Sequence, residues 1–255
     1  ELTYFLEFSG RWDLRLSINK IAFDRAIKEK DFLSAGYRLY EDGWIYYLRS
    51  NVDGVKQSAM DSLKYFKKAK ADKVDKAYSF RLEAYVLLIN KEYEEMVPIL
   101  RKVLKMKKSE SSISIDVANA NNDLGRAYRF QKKLPMAKRY FLKALKIARK
   151  IKYADGLATY SGNLTEVAID EQNWPEALAL ARKSLKLAEK INRILAVGNA
   201  LIYLSRVLLH LKQFEEAQPY LERSIQIYSR VGSKRIQEAE SLWQVCQSGL
   251  PKLTV

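Results

Sequence analysis

Apolar side chains recur along this chain with the period of an α-helix. In the stretch opening at Leu134, Tyr140, Phe141, Ala144, Leu145, Ile147, Ala148 and Ile151 share one face at about 100° per residue. Lys138, Arg139, Lys143, Lys146, Arg149 and Lys150 share the opposite face, with Leu142 the one apolar residue on that side. A half-buried strand would alternate every second residue instead. The pattern therefore predicts an amphipathic surface helix, Leu134 to Lys150, preceded by another from Ile115 to Gln131. Punctuation agrees. Pro135 and Pro175 fall in first helical turns, where a missing N–H costs little. Asn173, with Glu176 three residues on, has the form of an N-cap with its capping-box partner.

The pattern repeats. Segments opening at Leu124, Leu164 and Leu204 each place Leu134, Trp174 or Phe214 ten residues on, and Ala137, Ala177 or Ala217 three residues further. The frame extends backward through Tyr93 and Met96, Val52 and Val55, and Trp12 and Arg15. Anchors at 15, 55, 96, 137, 177 and 217 are spaced by 40 or 41 residues. Each unit reads as a helical hairpin, helix A then helix B. The expected fold is all-α, a solenoid of about six units of about 40 residues and about thirteen helices. One array is expected over 1–246, closed by a capping helix over 234–246, with a C-terminal tail at 247–255.

Leu124-Gly125, Tyr128, Ala137, Phe141 and Ala144 resemble the tetratricopeptide signature, in which small residues let two helices approach and aromatics fill the space beside them. The resemblance implies a right-handed superhelical solenoid. The usual period of that family is about 34 residues, so this chain would carry longer helices. GWIYYLRS at 43–50, DVANANNDLG at 116–125, ATYSGNLTEVAI at 158–169 and WPEALALARKSLKLAEK at 174–190 are similar to the C-terminal repeat region of bacterial NB-ARC-type STAND ATPases. That resemblance implies a sensor array whose nucleotide-binding engine lies before Glu1. No G-x-x-x-x-G-K-[ST] phosphate loop occurs in the chain itself.

Composition narrows the chemistry. The only cysteine is Cys246 and the only histidine is His210, which excludes an internal disulfide and leaves no set for a metal cage or a Ser-His-Asp triad. Glu166 and Asp170 share a helix face, but an acidic pair alone is weak support for catalysis. No cofactor and no enzymatic activity are expected. The longest apolar run, Ala84 to Ile89, is far shorter than a membrane span of about 18 residues, and a cytoplasmic protein is expected. Net charge is +15, and residues 111–152 alone hold 11 basic and 2 acidic side chains.

In repeat arrays of the resembled kind, helix A lines a concave groove. Framing each unit on its anchor places Tyr37, Tyr40, Trp44, Tyr47, Arg81 and Tyr85 on that lining. Asn119, Asn122, Arg126, Arg129, Thr159, Asn163, Glu166, Asp170, Asn199, Arg206 and His210 continue it. Aromatic area, amides and planar guanidinium forks suit an extended peptide or a helix. The main functional expectation is a non-catalytic module binding a protein or peptide in this groove, the sensor or scaffold of a larger signalling ATPase. Tyr40 and Trp44 equally suit a core, Asn122 and Asn163 equally suit bonds to neighbouring helices, His210 suits a helix end, and Cys246 a buried apolar site. The alternative function uses the basic face at Lys138, Arg139, Lys143, Lys146, Arg149 and Lys150 to meet nucleic acid, or an acidic partner domain.

Overall fold

The computed structural model describes residues 10–249. Among them the secondary structure is all helical: α1 Trp12–Lys28, α2 Phe32–Leu48, α3 Val52–Lys68, α4 Lys73–Ile89, α5 Tyr93–Lys108, α6 Ile115–Phe130, α7 Leu134–Lys150, α8 Ala154–Asp170, α9 Trp174–Lys190, α10 Ile194–His210, α11 Phe214–Val231 and α12 Ile236–Gly249. Helix B of every predicted unit begins on the residue the repeat frame marks: Trp12, Val52, Tyr93, Leu134, Trp174 and Phe214. All six anchors are buried. Arg15, the odd one among them, is buried against Glu41 at 3.9 Å. The closing helix starts two residues later than expected and runs through Gly249, so the expected tail is helical at its start. Its remainder from 250, and the first helix of the predicted thirteen, lie outside the described residues. No helix in the described residues is long and apolar enough to cross a membrane.

Short, regular linkers set the architecture. In nine of the first ten helices the second residue past the end is a non-glycine with positive φ: Lys30, Ser50, Lys70, Lys91, Lys132, Lys152, Gln172, Asn192 and Lys212. Backbone bonds close these ends in pairs. Lys132 N–H donates to Arg129 O at 2.8 Å, and Lys133 N–H to Tyr128 O at 2.9 Å. This left-handed cap satisfies carbonyls that the helix leaves open and turns the chain back at once. The following helix is often capped in turn, as where Asp31 accepts from Ser34 N–H, Asn51 from Gly54 N–H and Asn173 from Glu176 N–H. The link from α5 to α6 is longer and ends on Ser114, whose hydroxyl accepts from Val117 N–H at 3.2 Å.

The chain divides into two compact units, residues 11–147 and residues 148–249. In the first, each helix from α1 to α5 packs on the next in sequence. Two hairpins there use the same device: a Cβ on Gly36 would lie 2.7 Å from the Phe66 ring, and one on Gly125 would lie 2.6 Å from Phe141. The missing side chain is what lets each aromatic cross the facing helix, and both rings are fully buried. In the second unit, α8 to α12 pack in the same sequential manner. Its core is small-residue rich, with Ala158, Ala181, Ala188, Ala200 and Ala217 interleaved with Leu201, Leu204, Leu221 and Tyr228.

Candidate functional site

In the first unit α2, α4 and α6, the A helices, present a continuous aromatic and charged face. Tyr37 meets Tyr78 at 5.6 Å between ring centroids, Tyr78 meets Tyr40 at 4.7 Å, and Tyr47 stacks on Tyr85 at 4.4 Å. Trp44 leans on both Tyr47 and Tyr85, at 5.2 and 5.6 Å. Tyr37, Tyr40, Trp44 and Tyr47 are half-buried, and Tyr85 lies fully buried beneath them. Tyr85, expected on the lining, thus lies in the core beneath the platform, while Tyr40 and Trp44 are partly covered at its surface.

Arg81 is the hub. Its Nε donates to Asp123 Oδ2 at 2.6 Å, and a terminal nitrogen donates to the Tyr40 hydroxyl at 3.0 Å. The Tyr85 hydroxyl donates to the same carboxylate at 3.2 Å. Asp123 is 1% exposed and Arg81 13%. Burial opposes the charge on Arg81, but the adjoining carboxylate outweighs it and holds the guanidinium well above its usual pKa. Asp123 was absent from the sequence-predicted set. Its signal was present, since Tyr85 lies 38 residues before it, as Tyr37 does before Asp75 and Tyr78 before Asp116, and the structure joins all three pairs by hydrogen bonds. Asp116 also takes Lys107 Nζ at 3.0 Å, and that ammonium sits 3.1 Å from the centre of the Tyr78 ring. Lys107 is 3% exposed, and burial draws its pKa down against the pull of Asp116.

Arg126 differs from Arg81. Its terminal nitrogen donates to the Tyr47 hydroxyl, and its guanidinium lies over the Tyr47 ring at 5.7 Å. Burial works against its charge, while Tyr47 and Asp123 more than offset that. Among the described residues no carboxylate forms an ion pair with it, so a half-buried cation has a phenol where Arg81 has an aspartate. Asn119 and Arg129 lie half-buried on the same helix, and Arg129 rests over Phe130 at 5.6 Å. Asn122 is buried.

The second unit is built separately on α8, α10 and α12. Asn163 is buried, whereas Thr159 is exposed. Glu166 and Arg206 approach to 3.8 Å. The Asn199 carbonyl accepts from the Tyr228 hydroxyl at 2.7 Å and from Arg235, which also grips Glu238 and lies over Tyr203 at 5.5 Å. Arg235 was not foreseen, because it directly precedes the closing helix and the lining was read only from the A helices. His210 is exposed at the end of α10 and stacks on Trp174 at 3.5 Å, while Asp170 ends α8 half-buried. Cys246 is buried, its thiol 3.3 Å from Phe214 O, and burial raises its pKa. Among the described residues no three His, Cys, Asp or Glu side chains gather to hold a metal.

On α7, Arg139, Lys143, Lys146, Arg149 and Lys150 are exposed, and Lys138 is half-buried.

Tetratricopeptide-repeat family models match residues 116–190 and 197–231, so these stretches carry such repeats. No curated protein matches the chain. Among solved structures, RapI in its apo form has a TM-score of 0.59 at 19% identity, over 98% of this chain and 97% of that one. A Rap protein complexed with competence and sporulation factor has a TM-score of 0.62 at 14% identity, over 97% and 74% of the two chains. The STAND protein with a tetratricopeptide repeat sensor from Pyrococcus horikoshii has a TM-score of 0.60 at 14% identity, over 96% of this chain and 38% of that one. At these identities the likeness is one of fold.

Proposed function

We propose that this chain of tetratricopeptide repeats is a non-catalytic cytoplasmic binding module, the sensor or scaffold of a larger signalling ATPase, and that its first unit receives a protein or peptide on the face built by α2, α4 and α6. The observation that carries this is Arg126. A half-buried guanidinium is costly without a carboxylate or a full set of acceptors. Arg81 has a carboxylate and a phenol, and Arg126 has one phenol and a ring. A ligand carboxylate or backbone carbonyl completes it, with Trp44 and Tyr47 as rigid apolar walls. The likeness in fold to a Rap protein solved with a bound factor and to a STAND sensor supports the class of function.

The test is selection of peptides from a random display library on the immobilised chain, then anisotropy with the selected peptides. Arg126→Glu and Trp44→Ala are expected to weaken binding on the order of tenfold or more, leaving the melting temperature within a few degrees. Selected peptides that bind both variants as they bind the parent would place the site elsewhere.

A further inference from the structure

A second surface lies on the outward sides of α5 and α7, the B helices between and after the A helices of the aromatic face. Arg101, Lys105 and Lys108 on α5, and Arg139, Lys143 and Lys146 on α7, are all exposed. Their spacings, four and three residues in both rows, align each row along its helix. The two helices run side by side in the same direction: Glu94 meets Lys133 at 3.6 Å at their starts, Arg101 lies near Tyr140 further on, and Lys108 near Lys143 beyond that. Among the described residues none of these six cations forms an ion pair. Arg101 donates instead to the Tyr128 hydroxyl at 2.7 Å, and Lys143 lies over the Tyr140 ring at 4.9 Å. Lys143 feels its neighbours: slight burial, then the like charges of Arg139 and Lys108, hold its pKa below the usual value. Past Glu95 neither helix carries an acidic residue.

Two uncompensated rows on adjacent helices, about 10 Å apart, call for a polyanion. Leu142 chooses between kinds. It is 49% exposed, three residues after Arg139 and four before Lys146. A sugar–phosphate backbone offers little apolar surface to cover a leucine, and an exposed stacking aromatic, the usual partner of unpaired bases, is missing from both rows. A carboxylate-rich helix with an apolar residue among its acids matches both features, because carboxylates at i, i+4 and i+7 repeat the spacing of either row. We infer that the α5–α7 surface docks an acidic, amphipathic protein segment through these six cations with Leu142 as its apolar contact.

The experiment uses the full chain and three labelled probes: an 18-residue helical peptide with glutamates at i, i+4 and i+7 and a leucine between them, polyglutamate of equal length, and a duplex DNA of about 20 base pairs. The expected result is tightest binding of the leucine-bearing peptide, weakening with salt. Lys143→Glu/Lys146→Glu, on exposed positions that leave the core intact, should raise Kd on the order of tenfold. Leu142→Ala should raise it about threefold for the leucine peptide alone. Arg126→Glu should leave it unchanged, which separates this surface from the aromatic face. Tighter binding of the duplex, equal binding of polyglutamate with no effect of Leu142→Ala, or binding of none of the three would each overturn the inference.

Discussion

Lys132 occupies a left-handed backbone conformation that a side chain with a Cβ enters at a cost of about 1–2 kcal/mol, partly repaid by its charge at the negative end of α6. Lys132→Gly is therefore expected to stabilise the protein by about 0.5 kcal/mol in urea unfolding, glycine losing the charge and gaining unfolded-state freedom but escaping the strain. Asp42 is a second residue with a measurable signature. Burial raises its carboxyl pKa to about 6, against the Asn19 amide donating to it at 2.8 Å and with Glu41, Arg15 and Arg38 near. Between about pH 4 and pH 6 the folded chain holds this proton and the unfolded chain has released it, so stability falls as pH rises through that window. Asp42→Asn is expected to flatten this slope by about 1 kcal/mol in urea midpoints taken across the range, after allowing for partial exposure. Legibility at this scale was uneven. Arg81 and Arg126 were readable from helical spacing, but spacing cannot say that one has an aspartate and the other a phenol. That difference depends on Asp123 and Tyr47 arriving from other helices.

Helices were the most legible level, because a period of 40 residues fixes where each B helix starts once Ala137, Ala177 and Ala217 are aligned. The linkers were not, because their left-handed residues are written as lysine, serine, glutamine and asparagine, and glycine is the signal a reader looks for. Ties between neighbouring A helices were missed for a related reason: each runs from a tyrosine to an aspartate 38 residues on, and neither residue is unusual alone. Two substitutions test their weight. Asp116→Ala removes an acceptor from Tyr78 and the carboxylate from the buried Lys107, and should cost about 3 kcal/mol. Tyr78→Phe removes only one hydrogen bond and should cost about 1 kcal/mol. Equal losses in thermal or urea unfolding would mean that Lys107 draws little from its partner. Gly125→Ala is expected to cost about 1–3 kcal/mol, since the new methyl must displace the Phe141 ring across the hairpin.

For the molecule as a whole, a net charge of +15 with unpaired cation rows on α5 and α7 makes self-repulsion a term in stability. Raising sodium chloride from about 20 to about 300 mM is expected to raise the melting temperature by about 2–4 °C, because screening relieves that repulsion more than it weakens exposed ion pairs such as Arg182–Glu216. A fall would show that the exposed pairs dominate. Fold class was readable from periodicity and charge from counting, whereas the division into two compact units was not, since the repeat frame runs through residue 147 without a break. The helix ends bear on how such a chain comes to be basic at all. Six of the nine left-handed, non-glycine ends are lysines. Each of those six places a protonated amine beside the open carbonyls of a helix end, where the charge is favourable. Part of the high isoelectric point is thus written into the turns of the solenoid, apart from the cation rows of α5 and α7.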